Sequence, residues 1–325
     1  MTEFKFLDYD GKSLFSNCLV YQNENKKKVY LLPVIHIGST QYYYGMDAYI
    51  ENRICVYEKL KLASSDKNWQ KPIKSLNEYI ELSSPGIEEF WEQYKKLLDK
   101  FYKKFLPRDI KKLWKMAKKE FENFDNKIRI IYDSCVKSGF GIQNLFPIQL
   151  YLCEIMNLDH QQIAIDYEND ISYRPKWIHV DLDFEKMTEN VDINELVEEM
   201  LTEPSPETLD IFLKTIRLLL TNVLALVEFK KIPEISKRRE LLANGIIQGL
   251  TQQFEEIKKN YTPEYLLETR NSMIEDQILN LIEDHEEIVV FYGMAHMIAV
   301  ERFLLEQGFN LKTQQSFEVF KIEGN

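Results

Sequence analysis

Three apolar runs constrain this chain more than any other feature: "VYLLPVIH" ends at His36, "ICVYE" ends at Glu58, and "IVVFYGMAH" passes Gly293 to reach His296. Each is rich in β-branched and aromatic residues and shows no polar alternation, which is the pattern of a strand buried on both faces. Each then stops at a group that binds protons or metals. A chain with several such strands folds into a sheet covered by helices.

The segments around these runs agree. "YTPEYLLETRNSMIEDQILNLIEDHEE" opens with Thr262 as a candidate N-cap and Pro263 at the first helical position. Leu266, Leu267, Met273, Ile274, Ile278, Leu281 and Ile282 then form an apolar face. The strand "EIVVFYG" follows, then a helix from Ala295 with Met297, Val300, Phe303 and Leu304 inward. Gly308 is placed to end that helix in the left-handed conformation, and "QQSFEVFKI" closes as a strand. At the other end, "FKFLDYDG" and "SLFSNCLVYQN" read as a hairpin or meander closed by "NENKKK", with "KVYLLPVIHIG" as a third extended run. A short helix is expected between Asp47 and Ile54. "QIAIDYEN" and "PKWIHVDLD" have strand character.

Between these parts the period is helical, from about Ile87 to Asn157 and from Phe184 to Asn260, with Pro204, Pro206 and Pro233 as breaks. No repeat or low-complexity linker divides the chain. The expectation is one α/β domain over 1–325, a central mostly parallel or mixed sheet covered by helices, with helical insertions at about 85–160 and 185–260. A hydrophobic share of 45% supplies core enough to exclude global disorder.

Charge is distributed unevenly. Lys95 to Lys119 carries eleven Lys/Arg against Asp99 and Asp109, whereas Asp181 to Asp210 sets eleven carboxylates against Lys186. In the basic stretch Trp91, Tyr94, Leu97, Leu98, Phe101, Tyr102 and Phe105 recur at helical spacing, and Ile110, Leu113, Trp114, Ala117 and Phe121 repeat the pattern. The lysines are therefore the solvated face of amphipathic helices, which argues against a nucleic-acid partner. Contact with an anionic surface through 95–119 is a weaker expectation, and the two charged regions can answer each other within the molecule. "IFLKTIRLLLTNVLALVEF" approaches the length of a membrane span, but Lys214, Arg217, Asn222 and Glu228 interrupt it, so a buried helix is expected. Asp8 and Asp10 lie where a secretion signal would need an apolar run, and Cys18, Cys55, Cys135 and Cys153 form no C-x-x-C pair. Both observations point to a cytoplasmic protein with reduced, structural thiols.

Ligands of parallel sheets bind beyond the carboxyl ends of the strands. His36, Glu58 and His296 can therefore meet at one edge, and two imidazoles with a carboxylate are ligand types that suit a catalytic divalent metal such as Mn, Co or Zn. Each can equally be a structural residue held by hydrogen bonds. Arg270 follows Leu266 and Leu267 by four and three residues and precedes Met273 and Ile274 by three and four, which places it on the buried stripe. It must find an anion there: Glu58, another acid of the sheet edge, or a substrate carboxylate or phosphate. An internal ion pair and a substrate role both satisfy that need. Gly293 permits a tight turn and close backbone approach to a ligand, and Gly38 serves the first loop likewise. His179, with Asp181 and Asp166, is a candidate for support behind the site, while His160 and His285 lack this setting.

With "VYLLPVIHIGSTQYY", "VYEKL", "TRNSMIEDQI" and "VVFYGMAHMIAVERFLLEQGF", the chain resembles the TraB/GumN/PrgY family, related to the Tiki metalloproteases within the EreA/ChaN-like fold. The family pattern is G-x-x-H, a strand-end Glu, a late helical Arg and a second G-x-x-H. By position these fall on His36, Glu58, Arg270, and Gly293 with His296. The resemblance covers about a quarter of the chain, and Pro33 stands where the first motif has glycine. It implies a metal-dependent hydrolase acting on a peptide or ester bond of an unidentified peptide or small-molecule substrate. His36, Glu58 and His296 would hold or orient the metal, Glu58 alternatively acting as general base, and Arg270 would stabilise developing negative charge. The alternative is a non-catalytic ligand-binding or regulatory protein on the same fold.

Overall fold

A computed structural model of the chain describes residues 6–58, 75–78, 96–97, 99–122, 127–128, 131, 145–165, 176–180, 198, 201–258 and 264–323. The chain divides into two compact units, one of Met1–Ala63, Met156–Phe184 and Glu234–Asn325, the other of Ser64–Ile155 and Glu185–Pro233.

The first unit is α/β, built on a mixed sheet of seven strands among the described residues. β1 (Leu7–Tyr9) and β2 (Ser13–Gln22) form a hairpin whose turn is held by Asp10, its Oδ1 accepting from the N–H groups of Lys12 and Ser13. β3 (Lys28–Val34) runs antiparallel to the second half of β2, and β9 (Asn310–Lys321) runs antiparallel along all of it. On the other side of β3 the sheet turns parallel, through β8 (Glu287–Gly293), β5 (Ile54–Tyr57) and β7 (Trp177–His179). The apolar runs are the strands buried on both sides: Leu31, Leu32, Val56, Val289, Val290 and Phe291 have no exposed surface. Register aligns their ends, since Val34 lies beside Gly293 and Tyr57 beside Phe291.

Pro33 sits inside this sheet without breaking it. Its carbonyl faces β2, accepting from Ser16 Oγ at 3.1 Å, and the N–H and C=O of a strand residue point to the same side. The β2–β3 ladder ends at Leu31. The missing N–H thus falls where β2 no longer pairs, and no ladder bond is lost on that side.

Several local elements differ from expectation. The helix anticipated between Asp47 and Ile54 is α1, Thr40–Ile50, capped by Ser39, whose Oγ accepts from Tyr42 N–H at 3.2 Å. Tyr42, Tyr43, Met46 and Ile50 are buried along it, so packing overrides the strand preference of a tyrosine run. "QIA", anticipated as extended, is a short helix over Gln161–Ala164, because β4 (Ile37–Gly38) and β6 (Asp159–His160) form a separate small ladder and Gln161 N–H donates to the His36 carbonyl at 2.9 Å. Buried Arg239 anchors that region by donating to the carbonyls of Met156, Asn157 and Lys321 at 3.0, 2.9 and 3.0 Å. The expected Thr262 cap and Pro263 start lie outside the described residues.

The second unit is helical. α2 (Arg108–Glu122) packs against α5 (Pro206–Lys231); between them in sequence, among the described residues, lie α3 (Leu145–Met156) and, in the first unit, α4 (Gln161–Ala164). Phe101, Ile110 and Ala117 are buried and the described lysines of the basic stretch are exposed or at the margin, as amphipathic helices require. Trp91, Tyr94, Leu98 and the Phe121 side chain lie outside the described residues. Asp109 and Glu120 of α2 pair with Arg217 and Lys231 of α5, and most of the acidic segment expected to answer the basic stretch, 181–197 and 199–200, lies outside the described residues. In α5, Ile216, Leu219, Leu220, Val223, Leu226 and Val227 are buried. Among the described residues no helix is long and apolar enough to cross a membrane. Cys18, Cys55 and Cys153 are buried, and Cys135 lies outside the described residues.

The first unit closes with α6 (Ile235–Lys258), α7 (Glu264–Asp284) and α8 (Met294–Glu306). Gly308 ends α8 with φ of 80°, and Phe309 N–H returns to the Leu304 carbonyl at 2.9 Å. Two glycine substitutions test this reading with opposite signs. Gly308→Ala should destabilise by about 1 kcal/mol because its backbone is left-handed, whereas Gly245→Ala, exposed inside α6 with open space around its Cβ position, should stabilise by about 0.5–1 kcal/mol. Urea denaturation of both variants measures the difference.

Candidate functional site

Glu58 leaves β5 at the parallel end of the sheet, its N–H donating to the Phe291 carbonyl at 3.2 Å. Both carboxylate oxygens are then engaged. Oε2 accepts from Gly293 N–H at 2.6 Å and Oε1 from Arg270 Nη2 at 2.5 Å, with the two side chains only 15% and 13% exposed. Gly293 is the N-cap of α8 and has no side chain to cap with; Met294, Ala295 and His296 are the first helical residues. In a capping box the residue at the third helical position returns a carboxylate to the N-cap N–H. Here that position is His296, and the carboxylate comes from β5 instead.

This explains the glycine. Its φ of −54° is open to any residue, but a Cβ there would lie 2.9 Å from Glu58 Oε2. Close approach is the requirement, and what approaches is the protein's own carboxylate. Gly38 differs: a Cβ would strike the Tyr42 ring at 2.7 Å, so this glycine makes room for packing.

His36 is held by α1 and α4. Tyr42 Oη accepts from Ile35 N–H at 3.2 Å, and Tyr43 Oη donates to the Ile35 carbonyl at 2.9 Å, so both backbone groups of the preceding residue are fixed. His36 Nδ1 lies 2.7 Å from Gln161 Oε1. The ring is exposed, while His160 behind it is buried, with ring centroids 6.3 Å apart. Burial, and then the nearby His36, pushes His160 down to about 3, so it is neutral. His296 is 3% exposed, with Nδ1 2.8 Å from Asn271 Oδ1 and its ring against the edge of Tyr292.

Electrostatics bind the group together. Burial, the largest single influence on Glu58, opposes ionisation; Arg270, His296, His36 and the Gly293 N–H together outweigh it and hold the carboxyl at about 2. His296 is pushed down to about 4, by burial first, with Glu58 opposing and Arg270 and His36 assisting. The site at neutral pH is therefore an ionised Glu58, a cationic Arg270 and a neutral His296.

Of the alternatives for Arg270, Glu58 is a partner that the fold supplies. His179 ends β7 beside Tyr57, their rings 5.5 Å apart; Asp166 and Asp181 lie outside the described residues. Sequence reasoning missed Asn271 and Gln161. Asn271 had a signal, since it precedes Ile274 by three residues and Ile278 by seven and so shares the buried stripe. Gln161 had none, because only the β4–β6 ladder brings it to His36. Among the described residues no three His, Cys, Asp or Glu side chains are grouped to hold a metal ion. Comparison with known protein families, curated proteins and solved structures finds no match.

Acid should loosen this centre in two stages. Glu58 and His296 are both lowered relative to the unfolded chain, so each contributes stability that is complete above its ordinary value and lost as pH falls through its folded value. In chelator-treated protein, stability should fall first between about 6.5 and about 4 through His296, then from about 4.5 toward about 2 through Glu58. Glu58→Gln removes the second stage. It should also cost about 3–5 kcal/mol at pH 7, because Arg270 is left buried without its anion. Denaturation as a function of pH, for wild type and Glu58→Gln, measures both effects.

Proposed function

We propose that the protein is a hydrolase of the TraB/Tiki-like kind on an EreA/ChaN-like fold, acting on a peptide or ester bond through an activated water. The observation that carries this reading is the arrangement at the ends of β3, β5 and β8: an ionised Glu58 joining Arg270 to the start of α8, with His36 and His296 on the segments that follow β3 and β8.

Glu58 held at about 2 is too weak a base to take a proton efficiently near neutral pH. The neutral imidazoles remain as the site's proton acceptors, His296 itself lowered to about 4, and Glu58 serves as the fixed anion that orients Arg270 and α8. Arg270 donates to Glu58, and its guanidinium charge at the end of the sheet is of the kind that stabilises charge developing on a carbonyl oxygen. The imidazoles fit a Mn, Co or Zn ion as nitrogen donors, and Glu58, each of whose oxygens accepts one hydrogen bond here, keeps lone pairs with which it would complete a three-residue ligand set. When bound, such an ion would supply carbonyl polarisation and a more acidic water. The commitment of Glu58 also favours the second reading, a ligand-binding protein in which the pair is purely architectural.

A screen of peptide and ester substrates, with and without added Mn²⁺, Co²⁺ or Zn²⁺, decides between them. Activity that falls at least about a hundredfold in His296→Ala supports the hydrolase, and no turnover under any condition favours binding alone. Metal content should fall in His36→Ala and His296→Ala; equal content in wild type and both variants removes the ion from the proposal.

A further inference from the structure

Each site histidine meets a side-chain amide oxygen through the same ring atom. Asn271 Oδ1, on α7, is 2.8 Å from His296 Nδ1, and Gln161 Oε1, at the start of α4, is 2.7 Å from His36 Nδ1. Both amide residues are buried. An amide oxygen only accepts, so the proton in each contact belongs to Nδ1, and in a neutral ring Nε2 is then a lone pair. Nε2 of neither ring has a hydrogen-bond partner among the described residues. Imidazole in water prefers its proton on Nε2, so the opposite tautomer at two separate rings has to be imposed.

We propose that Asn271 and Gln161 are positioning residues that hold His296 and His36 as Nδ1–H tautomers, leaving both Nε2 atoms as the basic, ligand-accepting atoms of the site. The chemistry of the partner matters. A carboxylate would orient the ring equally well but would stabilise the imidazolium, which cannot accept a proton or a metal. An amide fixes orientation and leaves the ring neutral beside Arg270. The role in turnover rests on the hydrolase reading above; the tautomers do not.

The test uses the full chain labelled with ¹⁵N in histidine, observed by two-bond ¹H–¹⁵N correlation at neutral pH, with signals assigned through His36→Gln and His296→Gln. Wild type should show both rings as Nδ1–H. Asn271→Ala should move His296 toward the Nε2–H form while His36 is unchanged, and Asn271→Asp, which keeps an acceptor, should retain Nδ1–H. Gln161→Ala and Gln161→Glu should do the same at His36, with the main-chain bond from Gln161 to His36 undisturbed. Where turnover is found, Asn271→Ala should lower kcat by about 10- to 100-fold with little change in KM, with partial recovery in Asn271→Asp. An Nε2–H tautomer at either ring of wild type overturns the proposal, as does an Asn271→Ala protein with wild-type circular dichroism and an unchanged His296. If Asn271→Ala does not fold, the wild-type spectrum and the Gln161 pair decide. Absence of hydrolysis alongside the expected tautomers counts against the hydrolase reading alone.

Discussion

The Glu58 carboxylate is the junction on which this end of the sheet depends. It is buried against a backbone N–H and a guanidinium that belong to residues 235 and 212 positions away in sequence. A buried carboxylate is tolerated only when its charge is answered and its oxygens are bonded, and here both conditions are met by elements that must be correctly docked first. The interaction therefore links β5, α7 and the start of α8 to one geometry. Gly293 is part of the same constraint, since any side chain would occupy the space that the carboxylate needs.

A second set of contacts fixes the other histidine by different means. Tyr42 and Tyr43 hold the backbone of Ile35, and Gln161 takes both the carbonyl and the ring of His36. None of these partners is charged, and the ring stays exposed. His296, by contrast, is buried and neutral beside an ion pair. The two imidazoles thus share one hydrogen-bonding pattern in unlike surroundings, one open to solvent and the other shielded from it.

Pro33 illustrates how little a single residue says before its neighbours are known. Proline inside a strand removes a donor, yet here the donor would face a stretch of β2 that has stopped pairing with β3. The carbonyl on that side is satisfied by Ser16 and Tyr42. The proline is thus accommodated locally within the sheet, next to the segment that carries His36.

By itself the sequence determined the buried strands, the amphipathic helices of the basic stretch, the left-handed end of α8 at Gly308 and the placement of Arg270 on an apolar face. Those features follow from period, composition and the conformational demands of single residues, which are local. Asn271 was within reach of the same reasoning, as a polar residue on a buried stripe. Tertiary structure alone decided that Arg270 answers Glu58, that Gly293 yields space to a carboxylate, and that Gln161 reaches His36. Each depends on strand order and register, where residues far apart in the chain meet only after the parallel strands have been assembled side by side.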